Sequence, residues 1–116
     1  MALKSFTSTP SMIHQIEHNS DEELIRAKLV SETAKIAWSE LQRFFAAGQA
    51  FFVVAELDLI EVAFAFQQDD EQRVSNWLLQ KMVYPVADLQ AKEWISRDSM
   101  VWAVVVKPWV LVQNLK

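Results

Sequence analysis

The chain has 116 residues, 52% of them hydrophobic, with one glycine, no cysteine and a formal net charge of −4 at pH 7. This length predicts a single domain, and the missing cysteines exclude a disulfide framework, a thiolate zinc site and a cysteine nucleophile. A single glycine also excludes a glycine-rich phosphate loop.

No apolar run in the sequence reaches the roughly 20 residues that a membrane-spanning helix requires. Residues 1–19 also lack the basic start, the apolar stretch and the cleavage site of a secretory signal. We therefore expect a soluble cytoplasmic protein that does not associate with membranes.

Residues 1–19 are predicted to form a flexible N-terminal tail, because they mix polar and apolar side chains without a sustained period. His14 and His18 have the spacing of two metal ligands on one helix face. No third ligand is near them in sequence, so we predict no metal site. Four apolar side chains of the tail could dock weakly on the body: Phe6, Met12, Ile13 and Ile16.

The body of the protein is predicted to begin with the capping box Ser20–Glu23, which starts a helix that runs to about Thr33 or Ala34. A second capping box, Ser39–Gln42, predicts the start of another helix. The apolar face of this second helix is predicted to consist of Leu41, Phe44 and Phe45.

Gly48 follows the second helix, at a position where a residue with positive φ commonly ends a helix. Gln49–Ala55 then reads as a strand. Asp58–Glu61 is a third capping box, and the acidic pair Asp69–Asp70 ends the helix it starts and begins the next. The apolar residues of these two helices are Leu59, Val62, Ala63 and Phe66 in the first, and Val74, Trp77, Leu78 and Met82 in the second.

Val83–Val86 reads as a short strand, and Pro85 confines it to the edge of a sheet or to a bulge. Asp88 is predicted to cap one further helix. The apolar residues of that helix are Leu89, Ala91, Trp94 and Ile95.

Val101–Val112 is almost entirely apolar and rich in β-branched residues, which is typical of a strand buried on both faces. The run is too long to stay straight in a small domain, so we expect a bend or a bulge at Pro108. A two-residue hairpin at Lys107–Pro108 is not favoured, because proline is disfavoured at the third position of common turns unless its bond is cis. We assign Trp102 and Trp109 to the core.

These elements predict an α+β fold. Residues 20–116 form one small domain, in which four or five short helices pack on a three- to four-stranded sheet that includes the C-terminal strand.

Four carboxylates could supply paired groups for acid–base or metal chemistry: Asp58, Glu61, Asp69 and Asp70. The capping box explains the first two, however, and the start of a helix explains the other two. The body also has no histidine, so the usual base of a Ser-His-Asp arrangement is missing. We therefore predict no catalytic, cofactor-binding or metal-binding residues.

The stretch from Glu56 to Gln72 holds six acidic residues and no basic one, which favours a basic partner over a nucleic acid. Solvated helix ends and faces are the commoner explanation for such a stretch. Five tryptophans are many for this length. Core packing explains most of them, although one or two could line a binding groove. The candidate interaction surface consists of Asp69, Asp70, Trp77 and Trp94, the two tryptophans lying on helices that flank the strand with Pro85.

Several segments resemble a family of short bacterial proteins known as a domain of unknown function. They are Glu32–Ile36, Trp38–Ala46, Leu57–Ala63, Asp69–Asp70, Trp77–Leu78 and, most distinctively, Trp102–Gln113. The resemblance covers nearly the whole body and omits the first nineteen residues. It implies a bacterial cytoplasmic protein and supplies no activity.

Three functions stay open on the sequence. The first is a non-enzymatic protein-interaction module that binds a protein partner or forms a homodimer. The second is a small enzyme or ligand-binding protein that uses the clustered carboxylates beside an aromatic pocket. The third, a nucleic-acid binder, is disfavoured by the charge.

Overall fold

The structure is a computed structural model that describes residues 21–115, in which five α-helices and a short 3₁₀ helix pack on a five-stranded mixed sheet. The helices are α1 (21–32), α2 (Gln42–Ala46), α3 (Leu59–Gln67), α4 (Glu71–Leu79) and α5 (Asp88–Ser96), and the 3₁₀ helix (Trp38–Leu41) directly precedes α2. The strands are β1 (Ala34–Ala37), β2 (Ala50–Val53), β3 (Val83–Pro85), β4 (Met100–Val106) and β5 (Trp109–Asn114).

The strand order is β1-β4-β5-β2-β3, so the C-terminal strand lies at the centre of the sheet. β5 pairs antiparallel with β4 and parallel with β2, and the two outer pairings are antiparallel. The predicted α+β class is confirmed, and so is the place of the C-terminal strand in the sheet. The predicted three to four strands were too few.

Both faces of the sheet are covered by helices, because β5 is apolar at successive positions. Val110 and Val112 point to one face and Leu111 to the other, and all three are fully buried. The core on the first face includes residues of the 3₁₀ helix and α5, with α2 packed against it. The core on the second face includes residues of α1 and α3, and α4 contributes the half-buried Trp77.

Aromatic rings fill the first core. The Trp38 ring is fully buried, and its centroid lies 4.8 Å from that of Trp94 and 5.8 Å from that of Phe45. The indole N–H of Trp38 has no hydrogen-bond partner among the described residues, so apolar packing alone holds this ring.

The predictions from caps and turn residues agree with the structure in several places. α1 ends at residue 32, α2 ends before Gly48, which has a φ of 72°, and β3 lies at the sheet edge with Pro85. The carboxylate of Asp58 accepts a hydrogen bond from the Ile60 N–H at 2.9 Å and so caps α3. The predicted tail, with His14 and His18, lies outside the described residues, as does Ser20.

Two predicted caps are wrong. Ala37, the last residue of β1, occupies the N-cap of the 3₁₀ helix, so Ser39 lies inside the first turn and makes no capping bond. Ala87 occupies the N-cap of α5, and Asp88 lies in the first turn. A buried side chain lies next to each of these N-caps, Trp38 after Ala37 and Val86 before Ala87. The apolar side chains of α5 do not all face the core. Ala91 and Trp94 are buried, whereas Leu89 and Ile95 are exposed.

The expected bend in the terminal run is instead a tight hairpin between β4 and β5. Val106 pairs with Trp109 across a two-residue loop, and the Lys107–Pro108 peptide bond is cis. A cis bond is the geometry in which proline occupies the third position of a tight turn. The hairpin also returns Trp109 to the same sheet face as Trp102.

Four helices end in the same hydrogen-bond pattern, with one residue in the left-handed conformation. At the end of α4, the Lys81 N–H donates to the Leu78 carbonyl and the Met82 N–H to the Trp77 carbonyl. The left-handed residues are Gly48, Asp69, Lys81 and Asp98. Three of them carry a side chain that this conformation disfavours.

We expect Lys81→Gly to raise the free energy of unfolding by about 0.5–1 kcal/mol, because glycine adopts positive φ without steric cost. Gly48→Ala is the matched control and should lower it by about 1 kcal/mol. No atom lies within 4 Å of a Cβ built at Gly48, so the backbone alone causes that loss. Urea denaturation measures both effects, and a destabilising Lys81→Gly would contradict the prediction.

The side-chain amide of Gln113 ties β5 to the loop between β2 and α3. Its Nε2 donates to the carbonyl oxygens of Val54 and Leu57, both at 2.9 Å. Val54 directly follows β2 and Leu57 precedes α3, and the Val54 carbonyl also accepts the Leu57 N–H at 3.1 Å, so the amide fastens this turn to β5.

We expect Gln113→Glu to lower the free energy of unfolding at neutral pH by about 2–3 kcal/mol, because it removes both donors and places a negative charge against two carbonyl oxygens. This surrounding raises the pKa of the new carboxyl in the folded state, so the loss should shrink as the pH falls and the group is protonated. Gln113→Met, which removes only the donors, should cost less at neutral pH. Equal losses in both variants at all pH values would contradict the argument.

Candidate protein-binding groove

A groove of about 340 Å³ opens on the second face of the sheet, between the end of α3, the start of α4 and the first residue of β5. We call it the acidic groove. Its apolar wall consists of Phe51, Phe66, Val74, Leu78 and Trp109, and its acidic rim of Asp69, Asp70 and Glu71. No lysine or arginine lines it.

The apolar wall is built from three rings that hold one another in place. The ring centroid of Phe51 lies 5.4 Å from that of Trp109, with the planes at 89°, and 6.0 Å from that of Phe66. Phe51 and Trp109 meet because β2 and β5 are neighbours and both side chains point to the second face. The edge-to-face pair of Phe51 and Trp109 is a favourable aromatic geometry, so this contact stabilises the wall.

The acidic rim forms where two helices meet almost without a linker. Asp69 has a φ of 55°, and its N–H donates to the Phe66 carbonyl at the end of α3. The Asp70 carboxylate accepts the Arg73 N–H at 3.3 Å and so caps α4. Within residues 21–115 the Asp69 carboxylate has no hydrogen-bond or ion-pair partner, so it is available to a partner molecule.

The residues proposed from the sequence as an interaction surface do not all lie together. Asp69 and Asp70 lie on the groove rim. Trp77 is half-buried on α4, packs against the second core and carries the Arg73 guanidinium 5.0 Å from its ring centroid. Trp94 is only 8% exposed and belongs to the first core, on the opposite face of the sheet. Trp94 therefore does not line the acidic groove; its exposed edge lines a separate cavity with Glu93 and Arg97.

Trp109, which was predicted from the sequence to belong to the core, lies on the groove wall. It is half-buried, packed on one side and open on the other. Phe51, Phe66 and Leu78 join it there. The sequence marks each of them as apolar, but only the pairing of β2 with β5 brings Phe51 next to Trp109, and only the packing of α3 and α4 over the sheet adds Phe66 and Leu78.

The four carboxylates considered for catalysis are divided between two regions. Asp58 and Asp69 lie at opposite ends of α3, about 14 Å of helix apart. Glu61 accepts a hydrogen bond from Arg26 at 2.8 Å, and this bond raises the pKa of Arg26. Only Asp69 and Asp70 share the groove. Residues 21–115 contain no group of three His, Cys, Asp or Glu placed to hold a metal ion, and no helix among them is long and apolar enough to cross a membrane.

The fold defines a small α+β domain, and the acidic groove is its candidate site. The chain belongs to the family described as Protein of unknown function (DUF2288), whose model matches residues 24–114. This confirms the family type inferred from the sequence. The chain is 46% identical to PA1075 from Pseudomonas aeruginosa, and its structure matches the NMR solution structure of that protein with a TM-score of 0.70, over 80% of this chain and 86% of that one. No curated protein matches the chain.

We expect Asp70→Ala to lower the free energy of unfolding by about 1 kcal/mol, because it removes the N-cap of α4. Asp70→Asn should lower it by less than about 0.5 kcal/mol, since asparagine also caps helices. Urea denaturation of the two variants separates the structural role of this carboxylate from its charge. If both variants lost the same free energy of unfolding, the loss would not come from the helix cap.

Proposed function

We propose that this protein is a soluble, cytoplasmic, non-enzymatic interaction module, and that the acidic groove binds a protein segment that presents an apolar side chain beside lysine or arginine. One observation carries the proposal: an apolar wall with packed aromatic rings stands beside three carboxylates, with no basic side chain in the lining. A partner of that chemistry satisfies both parts of the site.

The two parts of the groove have different roles in binding. The apolar wall provides the burial that stabilises a complex, and a central aromatic anchor is typical of such sites. The rim is exposed and screened by solvent, so its charges chiefly raise the association rate and select for basic partners. α4 is suited to this surface because none of its side chains is fully buried and its apolar Leu78 faces the groove.

The other two functions have less support. Catalysis by clustered carboxylates is disfavoured because Asp58 and Glu61 lie away from the groove and Asp70 is engaged as a helix cap. Binding of nucleic acid is disfavoured because the acidic rim would repel phosphate.

We expect Leu78→Lys to reduce partner binding at least about tenfold, or ~1.4 kcal/mol, because it places a cation in the apolar wall and repels a basic partner. Leu79→Lys is the matched control: it lies next in sequence on the same helix, is 80% exposed and does not line the groove. The measurement is affinity purification from a lysate of the native host with the wild type and both variants, followed by quantitative mass spectrometry.

Support requires a partner that the wild type and Leu79→Lys retain and Leu78→Lys loses. Its binding should then weaken with added salt and with the double substitution Asp69→Asn and Asp70→Asn, which keeps both backbone roles while removing the charge. A partner retained equally by both lysine variants, or none retained by the wild type, would overturn the proposal.

A further inference from the structure

The last three residues of β4 have a neighbouring strand on one side only. β1 begins at Ala34, opposite Ala103, whereas β5 pairs with β4 as far as Val106. β1 does not extend further along β4, because the chain turns there into α1, and the Thr33 N–H donates to the Val30 carbonyl at 3.2 Å. Val104–Val106 therefore form a short open edge of the sheet, which we call the β4 edge.

The main-chain groups of Val105 point out of this edge. Successive residues of an antiparallel strand bond alternately to the strand on one side and to the strand on the other. The Val110 N–H, opposite Val105, donates to the Gln49 carbonyl on the β2 side, so Val110 and Val105 do not bond each other. The N–H and C=O of Val105 consequently face away from β5, and within residues 21–115 no hydrogen bond joins them to another residue.

A cavity of about 1000 Å³ lies along the β4 edge and has walls on both faces of the sheet. On the first face its lining includes Ile36, Leu41 and Val105, which is 41% exposed. Its charged side chains are two basic and two acidic: Lys28, Lys107, Glu32 and Asp69. Because these charges balance, the main chain of Val105 and the apolar wall are what this edge offers to a partner.

The cavity adjoins the acidic groove, and the two share Phe66, Asp69 and Trp109. They meet at the hairpin end of β4, where Trp109 pairs with Val106. A segment bound in the groove, with its basic residues at the rim, therefore has a direct path to the β4 edge.

The β4 edges of two copies of the chain exclude each other. Two β4 strands that bonded through Val105 would lie antiparallel, with Lys107 of one opposite Ala103 of the other. Ala34 already occupies the place opposite Ala103. An extended segment that carries no second strand on that side fits the available space.

We propose that the partner segment of the acidic groove continues along the β4 edge as a short added strand, in which one apolar residue exchanges both main-chain hydrogen bonds with Val105. This inference rests on the proposed function of the groove and names the conformation of its partner. Addition of a strand to an open edge is a common mode of peptide recognition, in which the main chain provides affinity and alternate side chains provide specificity. The apolar residue lies on the first face of the sheet, beside Ile36 and Leu41.

The test uses the full chain and a peptide with blocked termini, Lys-Lys-Val-Thr-Val-Thr. A control peptide carries N-methyl groups on both valines, so it keeps every side chain and both charges but cannot donate to the Val105 carbonyl. We expect the control to bind at least about tenfold more weakly in an NMR titration. The unmodified peptide should also slow hydrogen exchange of the Val105 amide, and the control should not.

Val105→Pro removes the complementary N–H from the protein. This N–H lies outside the ladder with β5, a position at which an edge strand tolerates proline. We expect Val105→Pro to weaken binding of the unmodified peptide about tenfold, whereas the matched control Val105→Thr, which keeps the N–H, should stay within about twofold. The two peptides make the same comparison on the wild type, so the test does not depend on the folding of Val105→Pro.

Equal binding of the two peptides, binding that leaves exchange of the Val105 amide unchanged, or no binding at millimolar peptide would overturn the inference. Leu78→Lys separates it from the proposed function. Peptide binding that Leu78→Lys weakens and N-methylation does not would refute the added strand and keep the groove. Binding that N-methylation weakens and Leu78→Lys does not would keep the added strand and refute the proposed function of the groove.

Discussion

The two-sided burial of β5 is the constraint on which the rest of the structure depends. A strand with Val110, Leu111 and Val112 fully buried must have a layer of helices on each face, because neither face can be left in water. The two cores follow from this requirement. One is packed around Trp38, the other around α3, whose middle residues are themselves buried on most sides.

The acidic groove forms at the edge of the helix layer that covers the second face of the sheet. α4 follows α3 after a short linker. None of its side chains is fully buried, so α4 lies farther from the sheet than α3 does. The space left between the two helices is closed below by Phe51 and Trp109, which belong to adjacent strands. Acidic residues occur there because the residue that ends α3 and the N-cap of α4 are adjacent, and aspartate suits both positions.

Much of the local structure could be predicted from the sequence, because caps and left-handed residues act over a few residues. Asp58, Asp70 and Gly48 mark helix boundaries in this way. β1 could not be predicted, since its residues form a strand only by pairing with β4. The groove was half predictable: its acidic rim is contiguous in sequence, whereas Trp109 reaches it only through a tight hairpin and a pairing between distant strands.

The parallel pairing of β2 with β5 brings together residues from the two halves of the chain, such as Ala50 and Val110. During synthesis, β2 and β3 emerge and can pair while the centre of the sheet is still missing. β4 and β5 then complete it from the C-terminal side. Contacts of such long range slow folding, since the intervening loop must close before they form. Until then the apolar faces of β2 and α3 stay exposed, so the incomplete chain is the state in which this protein most needs protection from aggregation.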